Sequence, residues 1–185
     1  YVIGADTAGS GTDYFTAKVI DNTSGMCVAT LRKQKIDEDL FAHQILCLAH
    51  YYNDALVGVE TNYSRHPVRV LKSLGYTNLY VAKDLSTMSD RAENYYGFVT
   101  SSITRPIIIS NLVSIMRENI RLETDRETLR EMLTFIKRDD GKPSAADGAH
   151  DDLVMAAAIA RYIAIDYFHT EQQSPVSEEN TYMEW

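Results

Sequence analysis

Three acidic positions, far apart in the chain, each stand where an apolar segment ends or begins. Asp6 closes Val2-Ile3-Gly4-Ala5, Glu60 closes Ala55-Leu56-Val57-Gly58-Val59, and Asp151 with Asp152 opens the apolar stretch Leu153 to Ala160. Carboxylates at the ends of core elements lose water and repel one another. A hard divalent cation relieves both penalties, because it takes several oxygen ligands and neutralises the cluster. The pattern points to metal-dependent phosphoryl transfer, the chemistry of a nuclease.

Each position also has a plainer reading. Asp6 precedes a Gly-rich turn with Gly9, Gly11 and Asp13, and could simply cap it; the turn lacks the GxxxxGK[ST] spacing of a phosphate loop. Asp13 either caps the turn or lies at the edge of a metal site. Glu60 could be a solvated strand end. Asp151 and Asp152 could be ordinary N-caps that complement the helix dipole, worth roughly 0.5–1 kcal/mol each. His150 joins the site or is a polar residue before the cap. The helix that follows is apolar nearly all round, so its start lies near the sheet. On a helical wheel Asp152 shares a stripe with Met155, Ala156, Ile159 and Ile163, which favours Asp152 over Asp151 as the ligand. Arg65, Arg69 and Lys72 share one helical face, a solvated basic surface or a phosphate contact.

The elements that must position these groups follow from periodicity and turn residues. Strands are predicted over 1–8, 13–21 and 26–35, the last two joined by the hairpin turn Asn22-Thr23-Ser24-Gly25. A helix spans Asp37 to Tyr52, a buried strand 55–60, a helix 65–74 stopped by Gly75, and a short strand 78–82. A polar loop runs to Tyr96. Helices are expected over Ile107–Asn119, Arg126–Phe135 and from Asp151 to about Phe168, with a hairpin tip at Asp140-Gly141. The order is that of an α/β fold, a mixed central sheet flanked by helices, and it resembles the ribonuclease H-like arrangement.

The chain of 185 residues, 45% hydrophobic and 24% charged, suits one domain over 1–170 with a full core. Residues 171–185 read as a disordered tail. Because a strand pattern begins at Tyr1, the chain reads as an excised part of a longer protein. No apolar run approaches the roughly 18 residues of a membrane span. Cys27 and Cys47 read as two buried free thiols, as in a reducing cytosol. The net charge of −8 argues against a general DNA-coating role but not against a nuclease with local basic clusters.

Three motifs, Gly4-Ala5-Asp6 with Gly9, Gly11, Thr12, Asp13 and Tyr14; Val57-Gly58-Val59-Glu60 with Asn62; and Gly148-Ala149-His150-Asp151-Asp152-Leu153-Val154-Met155-Ala156, resemble the nuclease domain of phage terminase large subunits. Tyr96-Gly97-Phe98-Val99-Thr100, Arg105-Pro106-Ile107-Ile108-Ile109, Leu133 to Ile136 and Gly141-Lys142-Pro143 resemble family sequence too, so the likeness spans roughly 1–168. The resemblance implies endonucleolytic cleavage of concatemeric double-stranded viral DNA during genome packaging, with two Mg²⁺ or Mn²⁺ ions. Its carboxylate triad would be Asp6, Glu60 and an Asp of the 151–152 pair. The family often has Asp where Glu60 stands, and some relatives carry a further acid at the position of Met155.

It further implies an ATPase domain upstream in the full-length chain, a small terminase subunit and portal as partners, no membrane, and work in the host-cell cytoplasm. Candidates for holding the DNA backbone are Arg65, Arg69, Lys72, Lys83, Arg105, Lys137, Arg138 and Lys142; such contacts position without specifying sequence. Segments 84–96 and 137–147 are candidates for gating the groove. Rival readings are another ribonuclease H-like nuclease, such as a junction resolvase or transposase core, and a non-catalytic DNA-binding module. An actin-like ATPase would need a second half that this chain is too short to hold.

Overall fold

The computed structural model describes residues 1–9, 13–82, 95–138 and 143–171, with side chains through Asp166 in the last helix. Residues 172–185 of the expected disordered tail, Lys83 and Lys142, and residues 84–94 and 139–142 of the two gating segments lie outside the described residues.

Strands β1 (Val2–Asp6), β2 (Phe15–Ile20) and β3 (Cys27–Lys33) form an antiparallel meander, and β4 (Leu56–Val59) adds parallel to β1, giving the order β3-β2-β1-β4. The crossover from β3 to β4 carries α1 (Glu38–Tyr51), whose N-cap Asp37 accepts from the Leu40 backbone N–H. Beyond β4 come α2 (His66–Ser73) and a parallel bridge of Leu79 to Val57. The ribbon of β5 (Val81–Ala82) and β6 (Tyr95–Tyr96) then follows. Helices α3 (Thr104–Glu118) and α4 (Arg126–Leu133), the hairpin of β7 (Phe135–Lys137) and β8 (Pro143–Ala145), and α5 (Asp152–Glu171) complete the chain.

Strand parity sorts the core into two layers, since successive side chains point to opposite faces. Ile3, Ala5, Val57 and Val59 pack under α1 and α2 with Phe41, Ile45 and Leu71. Val2 and Leu56 face α3 and α5 with Ile108, Leu112 and Ile159. Gly4 and Gly58 share this second face, where α5 lies directly on the sheet. By the same parity Asp6 and Glu60 point to the α5 side.

Four expectations need correcting. Helix α3 begins at Thr104 rather than Ile107, because Pro106 falls in its first turn, where a missing N–H is no loss. Helix α4 stops at Leu133, and Phe135 opens a strand instead of ending the helix. Tyr95–Tyr96 is a strand paired to Val81–Ala82, not loop. Both thiols are free, but Cys47 is exposed on α1 and only Cys27 is buried. Among the described residues no helix is long and apolar enough to cross a membrane.

One buried charge had no sequence signal. Lys18 on β2 is fully buried, and its Nζ donates to Glu123 Oε1 at 3.0 Å and Thr30 Oγ1 at 2.9 Å, with Asp125 Oδ2 at 3.5 Å. Truncating one partner strands the other charge without water, which costs about 3–5 kcal/mol. Glu123→Ala is therefore expected to lower the melting temperature by roughly 10 °C. The apolar pair Lys18→Met with Glu123→Leu should be much milder. Thermal unfolding followed by circular dichroism checks both; an unchanged midpoint for Glu123→Ala would remove the argument.

Candidate active site

The parallel register of β1 and β4 places Ala5 opposite Val59, and Glu60 N–H donates to the Ala5 carbonyl at 2.8 Å. Asp6 and Glu60 thus leave adjacent strands at the same end and on the same face. The two carboxyl groups lie within hydrogen-bonding reach of each other. Asp152 arrives from the helix layer. The Thr16 hydroxyl, on the residue paired with Asp6 across β1 and β2, donates to the Asp152 carbonyl at 2.9 Å. Tyr14 N–H donates to Asp152 Oδ2 at 3.1 Å, and His150 Nδ1 stands 3.6 Å from the same oxygen.

The electrostatics record the crowding. Burial holds the Asp6 carboxyl well above the usual carboxylate range. The hydrogen bond to Glu60 and the charges of Glu60, Asp152 and Asp151 push the same way. Burial pushes Asp152 up to about 6; Asp13 and Asp151 add to this, while the Tyr14 N–H and His150 oppose it. Asp6, Glu60, Asp13, His150, Asp151 and Asp152 therefore share one electrostatic neighbourhood.

They do not form a closed cage. Among the described residues no group of three His, Cys, Asp or Glu side chains is gathered tightly enough to enclose an ion. The reason is visible: Asp6 and Glu60 touch each other, Asp152 is engaged by Tyr14, and Asp151 Oδ2 accepts from Arg105 Nη2 at 2.6 Å. The donor set still fits a hard cation, being all carboxylate oxygen with an imidazole at the rim. An excess of buried negative charge is the condition that such an ion relieves.

The capping reading of Asp151 and Asp152 can be examined directly. The second and third amides of α5, those of Leu153 and Val154, donate to Glu131 Oε2 of α4 at 2.8 and 3.3 Å. Neither aspartate side chain caps them. Glu131 and its neighbour Arg32, whose guanidinium carbon lies 3.7 Å from the centre of the Tyr14 ring, went unnoticed in the sequence. On the amphipathic α4, Glu131 looks like one more solvated acid.

The candidate basic residues separate into groups. Arg65, Arg69 and Lys72 are exposed along α2 and border a groove of about 170 Å³ with Thr61, Tyr95 and Tyr96, which starts one residue after Glu60. Lys72 Nζ lies 3.7 Å from the centre of the Tyr96 ring. Arg105 is taken up by Asp151 and by the Pro143 carbonyl. Lys137 and Arg138 are exposed on β7 and just beyond it, and Arg138 pairs with Asp147 at 3.0 Å.

A meander of three strands extended by a parallel fourth, helices on both faces and acids at the central strand ends define a ribonuclease H-like fold. Within that class the fold is that of the nuclease domain of phage terminase large subunits. The large terminase nuclease from thermophilic phage G20c matches with a TM-score of 0.68 at 25% identity, over 86% of this chain and 80% of that one. A structure of the same nuclease with bound magnesium gives 0.68 at 23% identity, over 88% and 80%. The large terminase nuclease domain of Thermus phage P74-26 gives 0.64 at 24% identity, over 86% and 76%. No protein-family model matches the sequence, and no curated protein does.

Proposed function

We propose that this domain is the nuclease of a viral DNA-packaging terminase and cuts concatemeric double-stranded DNA by metal-dependent phosphodiester hydrolysis. The observation that carries the reading is the contact of Asp6 with Glu60, beside Asp151 and Asp152, at one end of the central sheet of a terminase-nuclease fold. Structures of the G20c nuclease with bound magnesium, cobalt and zinc support divalent-ion use. Two Mg²⁺ or Mn²⁺ ions, when bound, would supply Lewis acidity at the phosphate and a hydroxide-like water at neutral pH.

The chain's own residues do the rest. Asp6, on the central strand, would bind between Glu60 on one side and Asp152 on the other, with Asp13 and His150 at the rim. Arg105 holds Asp151 in place and would have to give up that contact to meet a phosphate. Arg65, Arg69 and Lys72 offer a backbone track leading away from Glu60, and Lys137 and Arg138 a second one. Such contacts grip any sequence. In the packaging machine the domain would act beside its ATPase domain, the small terminase subunit and the portal, in the host-cell cytoplasm.

Supercoiled-plasmid cleavage tests this. Nicking and linearisation are expected with Mn²⁺ or Mg²⁺. EDTA should abolish them, and Asp152→Ala should reduce them at least about a hundredfold, the loss of several kcal/mol of metal-borne stabilisation. Loss in Asp151→Ala with retention in Asp152→Ala would exchange the roles of the two aspartates. Cleavage indifferent to EDTA would overturn the mechanism, and preference for a four-way junction over linear duplex would favour a resolvase.

A further inference from the structure

We infer that Glu131 is a positioning residue for the acids of the site: it caps α5 in place of Asp151 and Asp152, and so leaves both carboxylates to the site. The inference rests on the metal-dependent reading above and extends it to a residue outside the acid cluster.

The first turn of a helix has amides with no partner inside the helix, and the preceding Asp, Asn, Ser or Thr ordinarily supplies the acceptor. Here Asp151 precedes α5 and Asp152 opens it, and neither side chain accepts from these amides. The acceptor is instead a buried carboxylate from another helix, reaching Leu153 N–H at 2.8 Å and Val154 N–H at 3.3 Å. Its negative charge also meets the positive end of the α5 dipole.

The other oxygen of Glu131 faces Arg32 Nη2 at 3.8 Å, and Arg32 lies over the Tyr14 ring. Tyr14 N–H in turn holds Asp152 Oδ2. Glu131, Arg32, Tyr14 and Asp152 thus follow one another around the start of α5. Thr16, fully buried, pins the Asp152 carbonyl from below.

Removing the Glu131 carboxylate leaves the Leu153 and Val154 amides buried without an acceptor. The nearest replacement is Asp151, the residue before α5. It can fold back as an ordinary N-cap, and its carboxylate is then withdrawn from the site. The substitution thereby disarms the centre without touching a ligand.

Titration of Mn²⁺ alone into the full chain, by calorimetry and without DNA, tests the assignment. Glu131→Ala is expected to bind Mn²⁺ about 10–100-fold more weakly than the parent, as for other residues that orient ligands. Glu131→Gln, which keeps an acceptor oxygen for the two amides, should recover most of the affinity. Ile45→Ala, in the core under α1 and away from the site, serves as an equally destabilised control and should bind as the parent does. Should Glu131→Ala fail to fold, Glu131→Asp decides: its shorter side chain cannot reach both amides, and weakened Mn²⁺ binding is expected. Parent-like affinity in Glu131→Ala or Glu131→Asp, or an equal loss in Ile45→Ala, overturns the inference. Absence of Mn²⁺ binding by the parent would instead sink the metal-dependent reading, and this assignment with it.

Discussion

Asp6→Asn is expected to raise the melting temperature of the metal-free protein at pH 8, while lowering cleavage about a thousandfold or more. A loss of function with a gain of stability is the signature of charge held against the fold's own interest. In the folded protein the Asp6 carboxyl is pushed well above its ordinary range by burial first, then by Glu60 and the two aspartates of α5; burial likewise takes Asp152 to about 6. The unfolded chain titrates near 3.9. Groups raised on folding contribute stability that is full below that value and lost as pH rises through their folded values. The metal-free parent therefore weakens as pH rises above about 4 and on through the Asp152 value of about 6.

Asparagine cannot ionise, so the variant escapes its share of that loss. Asp125 runs the other way. Burial would raise it, but hydrogen bonds from Thr128 and the charge of Lys18 outweigh that and lower it, so its contribution disappears in acid. The difference between parent and variant isolates Asp6 from such terms. Calorimetric scans in EDTA should show the two melting temperatures converging towards pH 5 and separating towards pH 8. Parallel curves would show that Asp6 carries no folding penalty. Millimolar Mn²⁺ should raise the parent's midpoint, since a ligand of the native state stabilises it by mass action. It should do little for Asp6→Asn.

The positions of Asp6, Glu60 and Asp152 were legible because strand ends and helix starts leave a mark in one dimension: an apolar run broken by an acid. The fold class followed from the same periodicities. What the sequence hides is whatever depends on a partner far along the chain. Lys18 sits in an alternating strand where a lysine ordinarily faces water, yet β2 is interior to the sheet and the Ile120–Leu122 turn brings Glu123 over it. The roles of Asp151 and Asp152 looked undecided between capping and chemistry, because the competing acceptor, Glu131, lies 22 positions before Leu153 on a different helix. Arg105 reads as a phosphate contact from its charge, while its hold on Asp151 appears only when α3 is packed against the start of α5.

The second large effect concerns a residue with no side chain. Gly4→Ala is expected to destabilise the domain by at least about 4 kcal/mol, the range reserved for the most damaging point substitutions. A Cβ at Gly4 would stand 2.2 Å from Ala160 N, 2.5 Å from Ala156 O and 2.7 Å from Ala160 Cα. All three are backbone atoms of α5, so no rotamer change makes room; the whole helix must lift from β1. Ala156 and Ala160, both fully buried, are the other half of this close approach. Gly58 provides the contrast. Its Cβ would meet Ile163 Cδ1 at 2.7 Å, the free end of a side chain that can turn away. Gly58→Ala should therefore cost only about 1–3 kcal/mol.

The two substitutions should also separate in function. Asp152 rides on α5, and a shift of about 1 Å between reacting groups lowers rate by roughly a hundredfold. Any Gly4→Ala protein that folds should then cleave plasmid slowly even per folded molecule, with a midpoint at least about 10 °C below the parent. Gly58→Ala should keep near-parent cleavage after correction for the folded fraction. Thermal unfolding together with cleavage rates on both variants decides the matter. Parent-like stability of Gly4→Ala would mean that α5 does not rest on β1 at this point, and the convergence of Asp152 with Asp6 and Glu60 would lose its structural basis.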